Sequence, residues 1–404
     1  MRLRGFRGWA PGSGTPLIVM VHPLPELLAG PPQTLAAFIR YLEGGHDVAV
    51  AAPEGPFLQH FREIGSSATL VPLPLYPNRQ LSWAHGSMAL LSAFGDARRP
   101  VLIHANTDSG LNLAGPLAIR VGAPVFVHFH APRILRRSRA FLQTWRRLGV
   151  RMAFYPVSNF SWGLLETTGV RDLVRGLLPN PIECSIFNGT AREQHQPFRI
   201  GFVGRELPVK GLHRLIQVAA LLKHEDVEWH VYGIDHSMPR STYLGRCLKE
   251  IRTKQLEGKI RSFGLVKDVA SAYQSMDALL VPSGSESFGR VAAEGMASGL
   301  PVVASRVVGL SEVVWDGNSG LLFDPNKPWE AAALLRRVIH DRRLKNELSR
   351  EAPKAASRFD IGTVGPALEA FYEDLLDHYA TPEQAHRVAH GSGQRKRTRS
   401  YSAE

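Results

Sequence analysis

Two cysteines, Cys184 and Cys247, are all the chain offers for disulfide building. That scarcity excludes the small disulfide-stapled extracellular folds and suits a reducing compartment. Long apolar runs are missing too. The run nearest the N-terminus, Leu17 to Val21, is far shorter than the roughly 20 residues a bilayer span needs. Prolines and glycines around it argue against a secretory leader, although Arg2, Arg4 and Arg7 precede it. It reads as a first strand, and the expected location is the cytoplasm. No Asp-x-Asp sequence of the kind that holds a catalytic metal occurs anywhere in the chain. Acidic residues are absent from 133–151, where Arg133, Arg136, Arg137, Arg139, Arg146, Arg147 and Arg151 cluster.

The length of 404 residues exceeds one ordinary core and suits two domains. Hydrophobic content of 44% with 21% charged residues is that of a soluble globular protein. The formal net charge is +12, and its placement says more than its size. Besides the arginine-rich segment, Arg395, Lys396, Arg397 and Arg399 make the end of the chain basic. Such patches attract anionic lipid, nucleotide or nucleic acid without choosing among them. Ile134, Phe141, Trp145 and Leu148 fall near one face of the arginine-rich segment. That pattern fits an interfacial membrane helix, but it fits better an ordinary helix packing an apolar stripe on a sheet.

Short apolar runs alternate with helical stretches along the whole chain. Leu17–His22, Asp47–Ala51, Leu70–Pro72, Val101–Ala105, Val125–Phe129 and Phe154–Val157 read as strands of a first parallel sheet. Phe198–Val203, Trp229–Tyr232, Ile260–Phe263, Ala278–Val281, Val302–Ala304 and Leu321–Phe323 read as strands of a second. Helices are expected at Thr34–Glu43, Trp329–His340 and Pro366–His378, among others. The loop from Pro23 to Pro32 is rich in proline and glycine, and the polar stretch from Asn188 to Gln196 reads as a linker. Beyond Ala380 the composition turns polar and basic, which predicts disorder.

The most informative stretch is 277–305, DALLVPSGSESFGRVAAEGMASGLPVVAS. A buried strand leads through a Ser/Gly loop into a helix expected from about Phe288 to Ser298, stopped by Gly299 and Pro301. Ligands of a parallel α/β sheet sit beyond the carboxyl ends of its strands. Glu286 stands in that loop and Glu294 is expected about two turns into the helix. The N–H groups of Ser287, Phe288 and Gly289 form a candidate anion site at its start. A carboxylate accepts from vicinal hydroxyls through two oxygens, so this set suits a ligand carrying sugar hydroxyls and phosphates. The bland readings are that Glu286 caps the helix and that Glu294 sits on its surface. A second loop, Gly204-Arg205-Glu206-Leu207-Pro208-Val209-Lys210-Gly211, follows the strand Phe198–Val203 and puts two cations at the same edge.

The string S-x-x-E-S-F-G-x-x-x-x-E-x-x-A-x-G-x-P-V-V-A-S, with Glu286 and Glu294 at its two glutamate positions, resembles the donor-site signature of retaining glycosyltransferase family four. The resemblance spans about residues 16–378 and implies a GT-B fold, two Rossmann-like α/β domains facing each other across a cleft. It implies an N-terminal acceptor domain at 1–183, a linker at 184–197 and a nucleotide-sugar donor domain at 198–360. A helix at 361–380 is then expected to pack back on the N-terminal domain, ahead of a basic tail at 381–404.

The implied activity is transfer of a sugar, with retention of configuration, from a nucleotide-diphosphate sugar to a glycan, lipid-linked or small-molecule acceptor, as in glycan or polysaccharide biosynthesis. The nucleotide sugar is a co-substrate; no cofactor and no metal are expected. By resemblance Arg205 and Lys210 stabilise the departing diphosphate, the charge-complementary role such a transition state needs. Glu286 then contacts the donor sugar and Glu294 the ribose, with Gly204, Ser287, Phe288 and Gly289 lining the donor site. His130, at the end of Pro124–His130, is the residue implied to reach a donor-sugar hydroxyl, with His128 as the reserve.

The pattern departs from the family in two places. Gly30 is followed by Pro31 and Pro32 where a glycine pair is usual, and Val308 stands where a second glycine is common. Three rivals remain: an epimerase or phosphorylase of the same fold, a non-catalytic scaffold of it, and a basic module binding anionic partners. No recognised nucleic-acid module is present. Peripheral contact with an anionic membrane at its inner face is a further expectation.

Overall fold

The computed structural model describes residues 16–27, 30–97, 101–130, 136–187, 195–234, 241–266 and 268–379, with side chains left out at 136–139. The basic tail, Ile134 and the heart of the 188–196 linker lie outside the described residues.

The first half alternates strands and helices: β1 (Leu17–Val21), α1 (Gly30–Leu42), β2 (Asp47–Pro53), α2 (Pro56–Glu63), β3 (Thr69–Leu73), α3 (Arg79–Phe94), β4 (Val101–Ala105), α4 (Leu111–Val121), β5 (Val125–Phe129), α5 (Arg136–Arg147), β6 (Met152–Pro156) and α6 (Asn159–Glu166). After the short α7 (Cys184–Phe187) the pattern restarts with β7 (Phe198–Val203), α8 (Leu212–Leu221), β8 (Val227–Tyr232), α9 (Thr242–Thr253) and β9 (Ile260–Ser262). It continues through α10 (Val269–Gln274), β10 (Ala278–Val281), α11 (Arg290–Ala297), β11 (Val302–Ser305), α12 (Val308–Val313) and β12 (Leu321–Phe323). Three helices close the chain: α13 (Pro328–His340), α14 (Arg342–Ala356) and α15 (Ile361–Tyr379).

The strands form two six-stranded sheets, ordered β3-β2-β1-β4-β5-β6 and β12-β11-β10-β7-β8-β9. Leu17 stands opposite both Asp47 and Val101, and Phe198 opposite Val227, all in parallel register. Every residue of β1, β4, β5, β10 and β11 is buried. Such unbroken Val/Ile/Leu/Ala runs are what a parallel sheet covered on both faces demands. The first strand order reverses at β1/β4 and the second at β7/β10, the two places where an open sheet leaves a crevice for ligands.

The chain divides into two compact units. One holds the residues up to His128, Ala140–Phe154 and those from Pro366 onward; the other holds Phe129–Arg139 and Tyr155–Gly365. In the first unit the later part of α15 lies against the sheet: Tyr372 is buried, its hydroxyl 2.5 Å from His104 Nδ1. Glu369 accepts from the Tyr41 hydroxyl at 3.0 Å and pairs with His46 at 2.7 Å. The core of the second unit is built on Trp229, Phe202, Leu215 and Leu335, with Tyr273, Met276 and Met296 on its other side.

Several boundaries differ from expectation, each for a local reason. Helix α1 begins at Gly30, so Pro31 and Pro32 form its first turn, where N–H groups have no partner within the helix and proline costs nothing. Helix α11 begins at Arg290 because Gly289, at φ 102°, holds a left-handed conformation that ends the loop. Glu294 is therefore just over one turn into the helix. Helix α15 starts five residues before Pro366. Helix α5 stops at Arg147, which leaves Leu148 exposed, while Leu142 is the fully buried anchor.

Candidate active site

Glycine brings the loops at the carboxyl edge of the second sheet together. A Cβ on Gly211 would lie 2.0 Å from the Pro282 carbonyl oxygen, and one on Gly233 2.5 Å from that of Gly204. A Cβ on Gly309 would lie 2.3 Å from the Glu286 carbonyl oxygen. Backbone therefore packs on backbone after β7, β8, β10 and β11 alike. Hydrogen bonds extend the contact, with Gly204 N–H donating to the Tyr232 carbonyl at 3.0 Å and Gly284 N–H to that of Val209 at 2.7 Å.

This closure brings Lys210 and Glu286 into one ion pair. Lys210 Nζ donates to Glu286 Oε1 at 2.6 Å, and the Ser283 hydroxyl donates to the same oxygen at 2.8 Å. Both side chains are only partly exposed, 26% for Lys210 and 14% for Glu286. Glu286 does not cap α11, whose preceding residue, Gly289, offers no side chain. The bland reading of that residue is thereby removed. Arg205 stands in the same loop as Lys210 but is exposed, and among the described residues its side chain has no hydrogen-bond or ion-pair partner.

Glu294 is buried rather than on the helix surface, at 5% exposure. The Tyr273 hydroxyl donates to its Oε2 at 2.9 Å, and Arg290 Nε lies 2.7 Å from its Oε1. The Arg290 contact is an ion pair not aligned as a hydrogen bond; Arg290 also donates to the Pro181 carbonyl at 2.7 Å. Burial first, then the Glu294 carboxylate, push the Tyr273 hydroxyl well above its ordinary pKa, so it stays a donor. Arg290 and Tyr273 are the residues sequence reasoning missed. Arg290 had a visible signal, standing four residues before Glu294 on one helix. Tyr273, on α10, had none.

Ser287, Phe288 and Gly289 fill the three positions before α11. Phe288 is buried edge-on against Phe359, ring centroids 4.9 Å apart. No described residue accepts a hydrogen bond from the three backbone N–H groups. Gly204 directly follows β7, and a Cβ there would touch the Phe202 ring at 3.0 Å.

In the first unit His128 is fully buried, its ring 5.6 Å from Phe38 and 5.9 Å from His104. The reserve histidine is thus a core residue. His130 stands one residue beyond β5 and is 8% exposed. Glu312, on α12, caps α6: its carboxylate accepts from Asn159 N–H at 2.7 Å and Phe160 N–H at 2.9 Å. Val308 is 55% exposed at the start of α12.

Comparison with known proteins bears on the same stretches. A family model described as glycosyl transferases group 1 matches residues 189–355, and one described as a glycosyl transferase 4-like domain matches residues 29–158. D-inositol 3-phosphate glycosyltransferase of Corynebacterium urealyticum is 33% identical over 201 residues, covering 48% of this chain and 46% of that protein. The chain thus matches about half the length of that relative. Sulfoquinovosyl transferase of Arabidopsis thaliana is 26% identical over 370 residues, 85% of this chain and 70% of that one. Among solved structures, HepE of Anabaena in complex with UDP and glucose superposes with a TM-score of 0.76 at 20% identity, over 89% of this chain and 99% of that one. Sucrose-phosphate synthase of Thermosynechococcus elongatus gives 0.71 at 17% identity, over 89% and 99%. At such identities these structures speak for the fold: two Rossmann-like domains of the GT-B type.

Proposed function

The chain belongs to glycosyltransferase family four, and from that premise we propose that it transfers a sugar, with retention, from a nucleotide-diphosphate sugar to a glycan or lipid-linked acceptor. The observation that carries the reading is the Lys210–Glu286 ion pair at the carboxyl edge of the second sheet. Without a ligand, each side chain neutralises the other in a half-buried place. A bound diphosphate competes for the ammonium, and Lys210 then neutralises the charge that grows on the leaving phosphate as the glycosidic bond breaks. Freed from Lys210, Glu286 can accept from sugar hydroxyls. Arg205 is the second cation, and its exposed, unpaired guanidinium can turn to the phosphates without breaking a contact. The N–H groups of Ser287, Phe288 and Gly289, reached past Gly204, supply fixed donors that need no reorganisation.

Glu294 is held by Tyr273 and Arg290 with lone pairs to spare, which suits it to accept from two ribose hydroxyls. His130 is assigned to a donor-sugar hydroxyl on its place after β5. Two cations and a helix N-terminus do the work of a metal in this account. The relatives named for UDP, inositol phosphate and sulfoquinovosyl chemistry support the substrate class without choosing the base or sugar. We also assign the protein peripheral attachment to an anionic membrane, where lipid-linked acceptors reside.

The test is release of nucleoside diphosphate from UDP-, GDP- and ADP-sugars with EDTA present. One donor is expected to turn over undiminished by the chelator. Turnover lost in EDTA and restored by manganese would overturn the metal-independent mechanism. The scaffold reading, which the +12 charge favours, predicts no release from any donor.

A further inference from the structure

Connections between parallel strands are right-handed. In the first sheet α1 and α2 join strands running one way along the order, whereas α3, α4 and α5 join strands running the other way. The last three helices therefore form one layer on one face. Their packing bears this out. The Ser87 hydroxyl on α3 donates to the Asn112 carbonyl of α4 at 2.8 Å, and a Cβ on Gly115 of α4 would lie 2.4 Å from the Trp145 ring of α5.

The outer surface of this layer is unusual for one facing water. A surface helix normally turns charged residues outward. The outward residues of α3 are Gln80, Leu81, Ala84, His85, Met88, Ser92 and Ala93, with Arg79 at its start. Leu81 is 48% and Met88 64% exposed, and the loop leading in exposes Leu75 and Tyr76. No Asp or Glu occurs from Ile64 to Gly95, nor from Ser109 to Leu165. Between these runs the described residues hold two carboxylates: Asp96, paired with Arg120 at 3.0 Å, and the half-buried Asp108 in the turn before α4. Arg79, Arg120, Arg146 and Arg147 are exposed, as is Ile119 between them.

We propose that the α3–α4–α5 face is the surface by which the protein lies on a bilayer containing anionic lipid. Leu75, Tyr76, Leu81 and Met88 enter the headgroup boundary, and Arg79 of α3 and Arg147 of α5 meet lipid phosphates. Apolar side chains beside a cationic surface poor in carboxylates match both components of such an interface. A second copy of the chain would set this cationic face against an identical one, which its charge opposes. The proposal deepens the peripheral attachment assigned above by naming its surface, and it does not depend on the donor site.

Sedimentation of the full chain with vesicles tests it, using phosphatidylcholine alone and phosphatidylcholine mixed with phosphatidylglycerol, at low salt. The wild type is expected to pellet with the mixed vesicles only. Leu81→Glu/Met88→Glu, at two exposed positions that leave the core intact, is expected to bind at least about tenfold more weakly, and Arg79→Glu/Arg147→Glu should weaken binding and its salt dependence together. Thermal melting and donor hydrolysis near wild type verify that the variants fold. Equal pelleting of the Leu81/Met88 variant overturns the face while leaving attachment standing. No pelleting of the wild type with either vesicle overturns both. A dimer in solution that Leu81→Glu/Met88→Glu dissociates would assign the face to a second copy instead.

Discussion

His22 stands one residue beyond β1 with its ring fully buried. Asn106, one residue beyond β4, places its amide nitrogen 3.3 Å from His22 Nδ1 and 2.8 Å from the Pro31 carbonyl oxygen. An amide N–H facing Nδ1 makes that nitrogen the acceptor, so the neutral ring carries its proton on Nε2. Burial lowers its pKa to about 4. The folded pKa then lies below the unfolded one, and the unfolded chain binds the extra proton as pH falls. The stability this gives is complete above about pH 6.5 and lost as pH drops toward 4, a loss of order 3 kcal/mol. Fully buried His104, lowered chiefly by burial and also by His128, acts in the same direction. Urea unfolding across this range should therefore show a steeper acid loss for the wild type than for His22→Gln, which keeps an acceptor but does not titrate. Parallel curves would refute the assignment. At this scale the sequence was legible where residues near in the chain act together. Glu286 and Glu294 stood out through the string around them. The partners that hold them, Lys210 and Tyr273, come from other loops and helices, and long-range pairing leaves no local mark.

The site depends on turns more than on side chains. Gly309 has no positive φ that would require glycine; its place matters because a methyl group there would meet the Glu286 carbonyl oxygen at 2.3 Å and the Glu286 and Ser287 carbonyl carbons at 2.8 Å. Backbone cannot yield as a flexible side-chain tip can. Gly309→Ala is expected to cost about 1–3 kcal/mol of stability and to weaken nucleoside diphosphate binding, because it moves the loop that carries Glu286. Gly258→Ala, with open space around its Cβ, is the control and should change neither. A Gly309→Ala protein with wild-type affinity would show that the loop does not set the site. Strands were the elements read best, since five or six consecutive apolar residues between turn formers admit few alternatives. Helix ends were read less well. Proline marked a loop to the eye yet opens α1, and the polar helix α14 (Arg342–Ala356) was not anticipated because only Leu348, Ala352, Ala355 and Ala356 are buried along it.

Across the whole chain, two parallel sheets were legible from the alternation of runs, whereas the reversal of strand order in each came only with the structure. Where the compact units divide was not. Strand β6 and helix α6 follow one another without a composition break, yet Tyr155 onward groups with the second unit. Helix α15 likewise passes from one unit to the other within a single run of helix, at Pro366. Hydrophobic periodicity reports that a helix has an inner face and says nothing about which sheet it faces. The acid-free stretches, by contrast, were countable in the sequence, and became a surface only once α3, α4 and α5 were seen to share a layer.

The most direct measurement of the central claim is calorimetric titration of UDP, GDP and ADP into the full chain in EDTA, beside Lys210→Ala and Glu294→Ala. One nucleotide is expected to bind, Lys210→Ala to weaken it by roughly tenfold or more through loss of a charge-assisted phosphate contact, and Glu294→Ala to weaken it through the ribose. Binding of none of the three, or equal binding by all three proteins, would contradict that claim.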